Sequence, residues 1–202
     1  MKTVVETKTP LHLVHRKLVA QLSVPSQTFY VPLPEEDLFQ ETFKQINGGG
    51  AEAPVTSLIS FAISTTGTVI WYDHWEDGYE EDVTGQIMST TTHVWGDGDA
   101  SNGCAPNVGS CTDAVDKFDA GDSVVIENVV ELDPGRNKLN IRFDGGDRIQ
   151  ASFPIAVTRG AYPKNPGSLM AGAVEVFDTN VWGTSFEAPM GRDTQFPTNA
   201  LP

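Results

Sequence analysis

The chain has 202 residues, 39% of them hydrophobic, enough to bury the core of one large β domain or two small ones. Its net charge is −14, from 27 acidic against 13 basic residues, which argues against nucleic acid as a partner. No apolar run reaches the ~18 residues that a membrane-spanning helix needs.

Residues 1–19 read as an exposed arm. His12, His15, Arg16 and Lys17 give it a basic cluster. Lys2, Glu6, Lys8, Arg16 and Lys17 break up any apolar leader, so no secretory signal is visible. An extracellular protein with this sequence would have lost its leader or be a segment of something longer. Residues 19–33 read as one or two strands interrupted at Pro25. Over 35–46, Leu38, Phe39, Phe43 and Ile46 recur at helical spacing, and Glu35, Glu36 and Asp37 suit the first turn. The expectation is one short amphipathic helix, ended by Gly48-Gly49-Gly50. These glycines do not form a phosphate loop, because they follow a helix and lack the Lys-Ser/Thr ending. Residues 54–64 form a strand. Thr65-Thr66-Gly67-Thr68 turns the chain into a second strand, 69–76, which predicts a hairpin.

Residues 69–82, VIWYDHWEDGYEED, are the densest stretch. Branched and aromatic side chains favour a strand, and Asp77-Gly78 favours a turn. Alternation puts Trp71, Asp73 and Trp75 on one face and Tyr72, His74 and Glu76 on the other. One face would meet a core and the other present a polar cluster. A carboxylate between two tryptophans, as Asp73 would be, must be paired, hydrogen-bonded or close to an edge.

Residues 85–95 read as a Thr-rich strand, and 96–121 as a long polar excursion. Cys104 and Cys111 lie in it. Two thiols cannot complete a structural zinc site. Their spacing suits a local disulfide, Cys104–Cys111, in an oxidising compartment; the alternative is two free thiols in the cytosol. Strands are then expected at 123–132, 138–143, 148–158 and 169–177, with a last one near 184–188. Turns fall at Asp133-Pro134-Gly135, Asp144-Gly145-Gly146-Asp147 and 160–168. Short strands at this spacing predict an all-β antiparallel sandwich, jelly-roll-like or Ig-like, over residues 20–191, with 192–202 as a tail.

Three constellations carry chemical interest. Trp71, Asp73, His74, Trp75, Glu76, Asp77, Tyr79 and Glu80 form a candidate ligand-binding hairpin. Its carboxylates suit glycoside cleavage, calcium binding, or turn capping and pairing with Arg142, Arg148 or Arg159. Against cleavage, Asp73 and Glu76 are three apart and face opposite sides of a strand. Asp97, Asp99, Ser101 and Asn102 form a candidate calcium loop. It is no EF-hand, because Gly103 comes one residue late and Val108 stands where the bidentate Glu belongs. The alternative there is an Asx-turn loop that needs no ion. Arg142 to Arg148, around Asp-Gly-Gly-Asp, read as a hairpin turn with exposed local ion pairs. No G-x-S-x-G motif occurs, and neither cysteine has a histidine close in sequence.

YVPLPEEDL (30–38), TTGTVIWYDHWEDGYEED (65–82), THVWGDGDASNG (92–103), GAVEVF (172–177) and GTSFEAPMG (183–191) together resemble a β-rich module. That module stands near the start of large secreted or surface-attached proteins of bacteria, fungi and oomycetes. Its signature is matched by Tyr72 through Gly78. More distantly, the arrangement is similar to the N-terminal region of IgG-Fc-binding mucin-like proteins. The resemblance implies architecture and an extracellular or cell-surface location rather than a reaction. The resulting expectation is a non-enzymatic recognition or structural module, with calcium as its only cofactor and a surface protein, a glycan or a second copy as partner. The rivals are a glycoside hydrolase and a self-assembling surface subunit.

Overall fold

A computed structural model describes residues 25–32, 55–83, 92–106, 109–130, 142–163 and 172–185. Eight strands lie in these segments: β1 Gln27–Tyr30, β2 Val55–Ile63, β3 Ile70–Asp73, β4 Thr92–Trp95, β5 Ser123–Val130, β6 Arg148–Ala151, β7 Ile155–Pro163 and β8 Gly172–Val176. Among the described residues a 3-10 turn, Thr179–Val181, follows β8. The strands form two antiparallel sheets, ordered β1-β6-β3-β4 and β5-β2-β7-β8. The chain is therefore all-β, as expected. The 35–46 segment and the 1–19 and 192–202 ends lie outside the described residues.

Period-two patterning explains the layering. One core cluster takes Phe29, Ile70, Tyr72, Trp95 and Ile149 from the first sheet. It takes Ile59, Phe61, Ile63, Val124, Ile126 and Val157 from the second. These are alternate residues of their strands, so the apolar faces of the two sheets oppose each other. Phe61 joins the layers edge-on, with its ring centroid 6.4 Å from Tyr72 and 6.1 Å from Trp95. Such pairs add about 0.5–1.5 kcal/mol each beyond their burial.

The predicted hairpin between 54–64 and 69–76 does not form. β2 pairs with β5 and β7, whereas β3 pairs with β4 and β6. The two strands take different ladder partners and so fall in different sheets, with their apolar faces opposed across the core. Thr65–Thr68 carries the chain from one sheet to the other. Gly67 adopts φ +81° there, and Thr68 Oγ1 donates to the Thr65 carbonyl at 2.7 Å.

The single strand expected over 148–158 is likewise two strands in different sheets. They are separated by Ser152-Phe153-Pro154, where Pro154 has no N–H to continue a ladder. The two crossings lie side by side: Ser152 N–H donates to the Val69 carbonyl at 2.9 Å, and Val69 N–H donates to Ser152 Oγ at 2.8 Å. β7 also runs on through Gly160 to Pro163, where a turn was expected. Residues 142–143 stand outside any strand, as do 184–185.

Candidate functional site

The register of the first sheet builds the site. Tyr30, Arg148, Asp73 and Thr92 are cross-strand partners in one row over β1, β6, β3 and β4. Phe29, Ile149, Tyr72 and His93 form the adjacent row. Adjacent rows point to opposite faces, so the second row looks into the core and the first looks away from it.

On the outer face, Trp71 packs with Val69, Val83 and Val94 in a small separate cluster. Asp73 is 1% exposed. An Arg148 guanidinium nitrogen lies 2.5 Å from its Oδ2. Thr92 Oγ1 donates to Asp73 Oδ1 at 3.3 Å and to Glu80 Oε2 at 2.7 Å. The Glu80 N–H donates to Asp73 Oδ2 at 3.3 Å, and Arg148 also reaches the Glu80 carbonyl. Burial, then the bond to the Glu80 carboxyl, push the Asp73 carboxyl up to about 7, with Arg148 pulling the other way. Arg148 lies 5.1 Å from the Tyr79 ring centre, and Tyr79 meets Tyr30 edge-on at 5.4 Å. Trp182 continues this surface, 6.1 Å from Tyr30. Tyr79 and Trp182 are both exposed.

Tyr72 and His74 do not present an outward-facing polar cluster. They share a face, as alternation predicts, but it is the core face. Tyr72 OH donates to Asp147 Oδ2. His74 Nδ1 lies 2.8 Å from the Arg142 carbonyl and 3.4 Å from Asp147 Oδ2. A carbonyl only accepts, so Nδ1 carries the proton of the 2.8 Å bond. Asp144 N–H donates to Asp147 Oδ2 at 3.0 Å, and Trp75 N–H donates to Asp147 Oδ1 at 3.3 Å. The Trp75 indole N–H donates to Asp144 Oδ1 at 3.4 Å. Glu76 Oε1 accepts from the Arg142 N–H at 3.2 Å. Tyr79 OH donates to the Gly146 carbonyl at 2.5 Å. Asp77 is exposed, in the turn that ends the stretch.

Electrostatics follow from this burial. Desolvation raises the Tyr72 phenol well above its ordinary value, with Asp147 adding to it. Burial opposes charge on His74, yet the Asp147 carboxylate outweighs it and the imidazole is raised. Burial also raises Glu76 and lowers His93, where the nearby His74 acts in the same direction. His74, Glu76 and Asp147 each offer one ligand atom, and the three lie within 4.8 Å of one another. This buried group can hold a metal ion.

The turn 144–147 was expected to carry exposed ion pairs. Asp144 and Asp147 are instead buried, and Arg148 pairs across strands with Asp73. Gly146 has φ +105°, and a Cβ there would sit 2.8 Å from the Trp75 ring. The turn thus packs against the 74–76 segment, and only glycine permits it.

The second candidate loop closes on itself. Asp97 accepts from the Asp99 N–H at 2.8 Å and from the Asn102 amide at 2.7 Å. Asp99 accepts from Ser101 N–H at 3.0 Å and Ser101 Oγ at 2.6 Å. Asp116 receives the N–H groups of Gly96 and Gly98 at 2.7 and 3.0 Å. Burial and the neighbouring Asp97 raise Asp116 to about 6, against those two N–H bonds. The Cys104–Cys111 disulfide forms across this loop, with 5.8 Å between its Cα atoms.

The sequence does not pick out Asp116; it predicts an exposed turn with local ion pairs for Asp144 and Asp147, and an ion-pair role rather than a backbone one for Arg142. These residues lie 18 to 75 positions from the residues they serve outside their own turn. A signal did exist, in the paired aspartates of Asp-Gly-Gly-Asp. No protein-family model matches the chain, and neither a curated protein nor a solved structure matches it.

Proposed function

We propose that this chain is a non-enzymatic extracellular module, for recognition or support, within a surface or secreted protein. The observation that carries the reading is the Asp73–Arg148 pair on the outer face of the first sheet. A hydrolase needs two carboxyl groups free to work on a substrate ~5–9 Å apart. Here Asp73 is buried against a guanidinium, and Glu80 accepts from Thr92. Glu76 accepts a backbone N–H. Carboxylates arranged this way lock a fold together. The disulfide supports an oxidising compartment. Recognition would fall to Tyr79 and Trp182, which flank Tyr30 on the surface and offer flat apolar rings to a glycan or protein.

Calcium stabilisation would rest on Asp97, Asp99, Ser101 and Asn102. Their hydrogen bonds to one another favour the ion-free form of that loop.

The test is sugar release from a panel of β-glucans, xylan and chitin, alongside retention on a glycan array. The expected result is no release, and retention that weakens in Tyr79→Ala or Trp182→Ala. Release that disappears in Asp73→Asn or Glu76→Gln, with folding intact, would refute the non-enzymatic reading.

A further inference from the structure

We infer that His74, Glu76 and Asp147 form a binding site for a divalent transition cation of the zinc class. The site would brace the end of β3 against the turn that enters β6.

Two buried atoms there have no hydrogen-bond partner: His74 Nε2 and Glu76 Oε2. His74 is 1% exposed, so water does not serve its ring freely. Its Nδ1 proton is committed to the Arg142 carbonyl. A ring whose Nδ1–H is held by a carbonyl presents its Nε2 lone pair to a metal, and this is the usual outer-shell support of a metal-binding histidine. Protonating Nε2 instead would bury an N–H without an acceptor. Leaving it bare buries a lone pair without a donor. Either state is costly, and a cation removes the cost.

The carboxylates point the same way. Asp147 is fully buried. Its Oδ2 accepts from Tyr72 OH and Asp144 N–H, with His74 Nδ1 3.4 Å away, while Oδ1 receives only the long 3.3 Å bond from Trp75 N–H among the described contacts. A carboxylate oxygen has two acceptor positions, so Oδ1 keeps one for a metal. Glu76 Oε1 is used by Arg142 N–H, which turns the unpartnered Oε2 into the second oxygen ligand. A neutral imidazole with two carboxylates carries two negative charges and matches a divalent ion. One nitrogen and two oxygens suit zinc and its neighbours, whereas calcium takes oxygens, and more of them.

The test uses the full chain, stripped with chelator and dialysed, then titrated calorimetrically with Zn2+ and separately with Ca2+. The expected result is one zinc per chain, with calcium at least ~100-fold weaker. His74→Gln and Glu76→Gln should each weaken zinc binding at least ~10-fold. Near-UV circular dichroism reports whether each variant folds. If a variant does not fold, the anomalous map of wild-type crystals soaked in zinc decides, with an ion expected ~2.0–2.1 Å from His74 Nε2. A folded wild type that takes up no zinc would overturn the assignment. So would zinc binding that persists unchanged in both folded variants, which would place the metal elsewhere, for instance on His12 and His15.

Discussion

Replacing Arg148 with Met would strand Asp73 in a site that is 1% exposed. Met keeps most of the side chain's apolar packing while removing the charge. Breaking a buried ion pair from one side costs about 3–5 kcal/mol, because the remaining charge stays buried. The Arg148 side chain is 13% exposed, so the lower end, about 3 kcal/mol, applies. For a chain of this length that corresponds to a fall of about 6–12 °C in Tm. The loss depends on pH. The folded Asp73 carboxyl is raised from 3.8 to about 7, chiefly by burial. Between those values the folded state binds more protons than the unfolded state. This group's contribution to stability therefore falls as pH rises through that window. At about pH 8 Asp73 is an anion and needs Arg148 fully; at about pH 5.5 it is mostly protonated and needs it less. Urea unfolding, followed by tryptophan fluorescence at both pH values, measures the difference. The expected losses are about 3 kcal/mol at the higher pH and about 2 kcal/mol at the lower, since the difference cannot exceed about 1.4 kcal/mol for the one pH unit above the folded value near 7. Asp73→Asn in the Arg148→Met background should recover part of the deficit. A loss under about 1 kcal/mol at the higher pH would mean that the pair behaves as a surface contact. An equal loss at both values would also refute the reasoning.

Gly96→Ala would place a Cβ 2.4 Å from the Thr68 carbonyl oxygen and 2.5 Å from the Phe118 ring, at φ +87°. Since a backbone atom cannot step aside, thermal unfolding should show a loss of about 3 kcal/mol, and a change under about 1 kcal/mol would contradict this packing. Cys104→Ser with Cys111→Ser opens a loop of sequence separation 7, expected to cost about 2–3 kcal/mol by chain entropy and readable in the same urea experiment. Added calcium should leave Tm unchanged at millimolar concentration, because Asp97 and Asp99 already bond within their loop; a clear rise would assign calcium to that loop.

The all-β class was legible in local patterning. β-branched runs alternating with polar residues, punctuated by Gly and Pro, specify strands through contacts only two residues apart. The pairing demanded of Asp73 was legible too, since a carboxylate between tryptophans requires a partner in any fold. Which strands share a sheet was not. The 54–64 and 69–76 segments look like a hairpin because a turn joins them, yet each finds its ladder partners elsewhere, and the two meet across the core. That choice depends on β5, β6 and β7, far along the chain. The same holds for the site: His74 and Asp147 belong to separate turns, and only the closure of the first sheet puts them in reach of each other. Local sequence set the face on which each side chain stands; the packing of one sheet on the other decided which face became the interior.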